Sequence, residues 1–332
     1  MKGRVGSLAV TATGIAVVAV ISIATIALTE PPQRQATVNG AGHGAGGHAE
    51  PLRVRLSVRP SSYLGVYERG APGSYAPIER FARSIGRQPD LVLYYSGWGD
   101  SFQVRFANQA RAHQAIPFIQ MEPWHISMAA IASGRSDAYL ASYARAVAAY
   151  RYPVLLGFAH EMNGNWYPWG WTHAHPAKWI AAWRHVVTLF RGAGARNVTW
   201  IWTANQEGPG DAPLRAYWPG RKYVDWVGIT GYLYFPQQTF ASAYVATISA
   251  LRRFTNRPIL ISEAAVGEVA GQARKIPDLF SVIRAYGLLG FVWFDATQHA
   301  GPYHQDWRLE GHPAAIRAFR HALRRYRDTQ RS

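Results

Sequence analysis

VLLGFAHE, residues 154–161, is the stretch on which the fold turns: an apolar run from Val154 to Ala159 that closes on two polar residues, His160 and Glu161. A short apolar run bounded in this way reads as a strand buried on both faces. The same form recurs on either side. Upstream stand YLGVY at 63–67, LVLYYS at 91–96 and IPFIQME at 116–122. Downstream stand VTWIWTAN at 198–205, VDWVGITGY at 224–232, PILISE at 258–263 and LLGFVWFD at 288–295. Helical patterns alternate with these runs, among them YAPIERFARSIG at 75–86, SDAYLASYARAVAAY at 136–150, PAKWIAAWRHVVTLFRGAG at 176–194, IPDLFSVIRAYG at 276–287 and HPAAIRAFRHALRRYR at 312–327. Eight strand and helix units in one stretch of chain predict an α/β fold, a (β/α)8 TIM barrel over residues 52–332. A doubly wound open sheet is the alternative, but no Gly-x-Gly-x-x-Gly or Walker sequence supports a nucleotide site in it.

The remaining 51 residues are of two kinds. Residues 1–29 carry Lys2 and Arg4 ahead of an uncharged run from Val5 to Thr29, long enough as a helix to span a hydrocarbon core. This predicts a transmembrane or signal segment with the rest of the chain outside the cell, secreted or held at its membrane. Residues 30–51, EPPQRQATVNGAGHGAGGHAEP, read as a flexible linker whose His43 and His48 are incidental. With 35 Lys plus Arg against 19 Asp plus Glu, the net charge is +16, which favours contact with anionic cell-surface polymers and phospholipid headgroups. The absence of cysteine excludes a disulfide scaffold, a thiol nucleophile and a thiolate metal site.

A barrel places its chemistry at the C-terminal ends of its strands. Those ends read Glu122, His160-Glu161, Asn205, Tyr232, Glu263 and Asp295. Strands four and seven face each other across the mouth, so Glu161 and Glu263 are brought toward one bond. Glycoside hydrolysis needs such a pair, one carboxylic acid to protonate the leaving oxygen and one carboxylate to stabilise or trap the sugar cation. Topology does not set their separation, and therefore leaves retaining and inverting outcomes open. Aromatic residues gather at the same ends: Trp166, Tyr167, Trp169 and Trp171 in HEMNGNWYPWGW, with Trp124, Tyr232, Tyr234, Phe235 and Trp293 after other strands. Flat sugar faces stack on such rings. Nucleic-acid bases do so as well, but a pair of acids at the mouth repels phosphate, which argues against a nucleic-acid partner. Trp179 and Trp183, four residues apart on a helix, read as core.

From about Leu56 onward the chain resembles glycoside hydrolase family 26, most specifically in HEMNGNWYPWG at 160–170. The resemblance implies a retaining endo-β-glycoside hydrolase acting on a β-linked polysaccharide without metal or cofactor, on β-1,4-mannan first. A β-1,3/1,4-glucan or exopolysaccharide hydrolase is the alternative, as is a carbohydrate-binding barrel that has lost activity. On this match Glu161 is the acid/base, Glu263 the nucleophile, Tyr232 the donor to the nucleophile, Trp293 the aromatic floor under the sugar and Trp166 a sugar contact on the leaving-group side. His160 and Asn163 fall in the signature as supporting residues. Trp124 and His125 match a Trp-His pair of mannan-active members, while Glu122 has no counterpart in that pattern.

Overall fold

The computed structural model describes residues 56–208, 210–298 and 305–331. The predicted segments at 1–29 and 30–51 lie outside them, and among the described residues no helix is long and apolar enough to cross a membrane. Eight parallel strands close into a barrel in chain order: β1 (Tyr63–Pro72), β2 (Leu91–Gly97), β3 (Ile116–Glu122), β4 (Val154–Phe158), β5 (Val198–Asn205), β6 (Trp226–Leu233), β7 (Ile259–Val266) and β8 (Gly290–Asp295). β8 pairs back onto β1, from Tyr63↔Gly290 to Glu68↔Asp295. Around them run α1 (Ala76–Ile85), α2 (Val104–Ala112), α3 (Met128–Ala132), α4 (Asp137–Tyr150), α5 (Pro176–Gly192), α6 (Phe240–Arg252), α7 (Gln272–Ala285) and α8 (Pro313–Arg331).

α1 shows how the local code works. Pro77 stands in its first turn, where no N–H is needed, and Gly86 ends it in the left-handed region at φ 74°. Ile78, Phe81, Ala82 and Ile85 between them form the one buried stripe. The tryptophans of the outer layer are core, as expected: Trp179 stacks on Trp183 with centroids 5.4 Å apart, and Trp183 meets Trp200 of β5 edge-on. One helix starts earlier than predicted. α7 begins at Gln272 and carries Pro277 inside it, because a proline near the first turn marks a helix start in sequence without requiring one.

The barrel closes through a glycine. Gly290 has φ 143°, and a Cβ there would lie 1.9 Å from the carbonyl oxygen of Tyr63 on β1. The neighbouring atom is backbone and cannot rotate away. Gly290→Ala is therefore expected to cost about 2–4 kcal/mol, from left-handed strain added to overpacking. Urea unfolding measures this, and a loss below half a kcal/mol would show that β1 and β8 can part to admit the methyl group.

Candidate active site

β6 presents two hydroxyls from one face, Thr230 and Tyr232, and each is hydrogen-bonded to one of the two predicted carboxylates. Tyr232 donates to Glu263 Oε2. Glu263 reaches that position through an irregularity in β7: Ile229 pairs with Ile261, but the next residue, Thr230, pairs with Glu263, so Ser262 is the extra residue of a bulge. Such a bulge re-aims a side chain. Ser262 Oγ would lie 2.8 Å from a Cβ on Gly228 of β6, and both Ser262 and Glu263 thereby face the interior. Contrary to expectation β7 does not end at Glu263 but continues to Val266. Glu263 is 4% exposed, and its Oε1 is buried without a hydrogen-bond partner. Burial, then the charge of Glu161, push its pKa up to about 8, against the hydroxyls of Tyr232 and Tyr95, which favour the charged form.

Glu161 is held differently. β4 stops at Phe158, three residues short of the predicted end, because Ala159 and Glu161 adopt left-handed φ of 48° and 54° and break the ladder. The turned segment is tied down by Ala159 N–H to Met121 O at 3.0 Å and Glu161 N–H to Thr203 O at 2.9 Å. Non-glycine residues in this region cost free energy, and such strain gathers at functional sites. Glu161 Oε2 accepts from Trp166 Nε1 at 2.8 Å, and Oε1 is bonded to the Thr230 hydroxyl. Trp166 folds back over Gly164, where a Cβ would lie 2.2 Å from its ring, so only glycine lets the indole reach the acid. Burial raises the Glu161 pKa, with Thr230 and Trp166 opposing.

Thr230 also lies 3.1 Å from Asn205 Oδ1. A hydroxyl has one hydrogen. Thr230 therefore donates to Glu161 Oε1 or to Asn205 Oδ1 at any moment, and the donation to Glu161 favours the ionised carboxylate. The two carboxylates are buried together, and the charge of Glu161 raises the pKa of Glu263.

The other predicted residues fall around this pair. Asn163 is fully buried and clamps the β4–α5 loop to the end of β5, giving Nδ2–H to Asn205 O at 3.0 Å and accepting Asn205 N–H on Oδ1 at 2.9 Å. It supports the acid's loop and does not line the opening. His160 is 1% exposed, ringed by Tyr95, Tyr167 and Trp169, and burial lowers its pKa to about 3, so it is neutral. Its Nε2 stands 4.0 Å from Glu122 Oε1. That spacing is not a hydrogen bond, and with a neutral ring it is not an ion pair. Glu122, at the end of β3, accepts from Trp124 Nε1 at 3.0 Å, and burial raises its pKa to about 7. Trp124 packs edge-on against Tyr167 and Trp169.

Trp293 corrects one expectation. It is fully buried, its indole N–H is shared between Asp295 Oδ1 and Trp307 O, and its ring meets Phe319 of α8, so it faces the helix layer and is no floor for a sugar. The aromatic residue of β8 that faces the mouth is its neighbour Phe294, stacked on Tyr67 and edge-on to Tyr232. The reason is strand alternation. Within the loop HEMNGNWYPWGW, Trp169 and Tyr167 are likewise buried, stacked 4.4 Å apart, and form a wall behind His160. Sequence reasoning missed Thr230, Tyr95 and Phe294 as parts of the site and named Asn205 only as a strand end. Thr230 stands two residues before Tyr232 and could have been found from their shared strand face. Tyr95 could not be told from Tyr94 in LVLYYS.

The family model described as glycosyl hydrolase family 26 matches residues 134–327. Endoglucanase H of Acetivibrio thermocellus is 32% identical over 270 residues, covering 76% of this chain and 29% of its own length. The β-1,3-xylanase TXYA of a Vibrio species is 29% identical over 172 residues, covering 51% and 35%. This chain thus spans about a third of the length of these curated relatives. Among solved structures, an endo-β-1,4-mannanase double mutant from Cellulomonas fimi superimposes with a TM-score of 0.63 at 15% identity, covering 80% of this chain and 71% of that one. At that identity the likeness is one of fold.

Proposed function

Because the chain belongs to glycosyl hydrolase family 26, we propose that it is a retaining endo-β-glycoside hydrolase in which Glu161 is the acid/base and Glu263 the nucleophile. The observation that carries this reading is the pairing on β6. One strand offers Thr230 to Glu161 and Tyr232 to Glu263, so that each carboxylate has its own hydroxyl partner in one buried chamber. Glu161 gives its proton to the glycosidic oxygen while Glu263 attacks the anomeric carbon from the other face. Glu161, now a base, draws a proton from water, which releases the sugar with its original β configuration. Trp166 N–H stays on Glu161 Oε2 through both steps and orients the carboxyl.

The polymer we propose is a β-glucan, since a relative aligned over 76% of this chain is named an endoglucanase. β-1,4-Mannan is the second reading, favoured by the Trp124-His125 pair after β3, with Trp124 packed into the wall of the site. Incubating the protein with mixed-linkage β-glucan, β-1,4-mannan and β-1,3-xylan, with product analysis, separates these readings. Release of oligosaccharides from none of these or from other β-linked polymers would leave a carbohydrate-binding barrel.

Tyr232→Phe is expected to lower turnover about ten- to a hundredfold without unfolding the barrel, as one hydrogen bond to a charged group is lost. The acid limb of the pH–rate profile should also move to higher pH, since the lost donor had favoured ionised Glu263. Unchanged turnover and profile on a cleaved substrate would remove Tyr232 from the mechanism.

A further inference from the structure

The chain's positive charge is not spread evenly over the barrel. In a parallel barrel every helix runs back from the C-terminal ends of the strands to their N-terminal ends, so helix C-termini and the connections after them collect on the face opposite the site. Exposed basic residues stand there in connection after connection: Arg83, Arg111, Arg151, Arg196, Lys222 and Arg284. Arg324 and Arg325 add to them from the far half of α8, and Arg87, Arg320 and Arg324 line a depression between α1 and α8. Among the described side chains the acids of this face are Asp90 and Asp225. Both are engaged, Asp90 with Arg87 and the Leu64 N–H, Asp225 with the Trp200 N–H. Every other described carboxylate lies in a strand's C-terminal half, in a connection leading from strand to helix, or in the first half of a helix. The molecule is therefore charge-polarised along the barrel axis, basic behind and acidic at the mouth. A cation at a helix C-terminus is locally favourable on its own, but Arg196 and Lys222 lie outside α-helices.

We propose that this basic N-terminal face of the barrel docks on an anionic phospholipid surface and so turns the mouth toward solvent. The path of the chain favours lipid over a soluble polyanion. The barrel is entered at this same face, where Ser61 N–H bonds Leu288 O and Tyr63 N–H bonds Leu289 O. Upstream of it the sequence holds the uncharged run Val5–Thr29 and the Gly- and Pro-containing stretch at 30–51. If the apolar run enters a bilayer, the face that meets the headgroups first is the basic one.

The cysteine-free chain permits a direct test. Full-length protein is labelled with a fluorophore at Ala285→Cys, at the exposed end of α7 on the basic face, or at Ser101→Cys, exposed between β2 and α2 on the mouth side. It is then added to vesicles of phosphatidylcholine alone or mixed in equal parts with phosphatidylglycerol, each carrying a headgroup quencher. Strong quenching of the 285 label and little of the 101 label is expected in anionic vesicles only, relieved by salt as screening sets in. Each basic residue near such a surface is worth about a fivefold factor in partition. Arg83→Gln, Arg284→Gln and Arg324→Gln together should thus lower the docked population about a hundredfold, with hydrolysis of a soluble substrate unchanged. Equal quenching in neutral and anionic vesicles, or equal quenching of the two labels, would overturn the proposal. So would displacement from the vesicles by soluble polyuronate at matched charge concentration, which would make an acidic polysaccharide the partner.

Discussion

Glu263→Ala is expected to abolish turnover of an ordinary polysaccharide, by about five to six orders of magnitude, the scale seen when a hydrolase loses its covalent nucleophile. The barrel should remain folded, because the side chain is held by hydroxyls and not by a counter-ion, and Tyr232 keeps its ring contacts with Phe294 and Trp307. No leaving group rescues this variant, however activated, since the missing group forms the bond to the sugar. Azide supplied in its place enters from the face Glu263 occupied and gives the α-azide. NMR of the azide adduct reads the outcome, together with the configuration of the first product of the wild-type enzyme. An α-configured wild-type product, or a β-azide from Glu263→Ala, would overturn the assignment of roles even with both glutamates essential.

Glu161→Ala should lose about a hundred- to ten-thousandfold on polysaccharide, the range for general acid–base catalysis, and its loss should depend on the leaving group. An aryl glycoside with an activated leaving group hardly needs a proton, so its glycosyl intermediate still forms and accumulates, and azide releases it as the β-azide. A second readout follows from electrostatics. The charge of Glu161 is among the causes that raise the Glu263 pKa toward 8, and removing that neighbour lowers it. The basic limb of aryl glycoside cleavage, set in the wild type by loss of the Glu161 proton, should therefore vanish with that residue. A variant that loses aryl and polysaccharide substrates equally, with an unmoved profile, would place Glu161 outside proton transfer.

Much of this site was legible before any coordinates. Glu161 and Glu263 stand out because each ends or interrupts a run of residues that are otherwise apolar, and a buried acid needs a reason to be there. The Tyr232 contact with Glu263 was implied by the family resemblance, and the pairing of strands six and seven brings the two residues together. Asn163 was legible only as part of a motif; that it clamps the backbone of Asn205 depends on the fold of the loop.

The sequence alone determined the number and order of strands and the end of the barrel at which polar residues gather, because strands buried on both faces must be apolar throughout and show their length and their polar ends clearly. That same double burial hid which way each side chain points. Period-two alternation is visible only when one face is polar, and here one face fills the barrel while the other packs under helices. Trp293 and Phe294 are both apolar, and only the closed barrel sent the first toward Phe319 and the second toward Tyr232. The left-handed turns at Ala159 and Glu161 and the bulge at Ser262 have no glycine to announce them. They exist because the surrounding structure repays their strain, and they, more than the apolar runs, bring the two carboxylates over one strand.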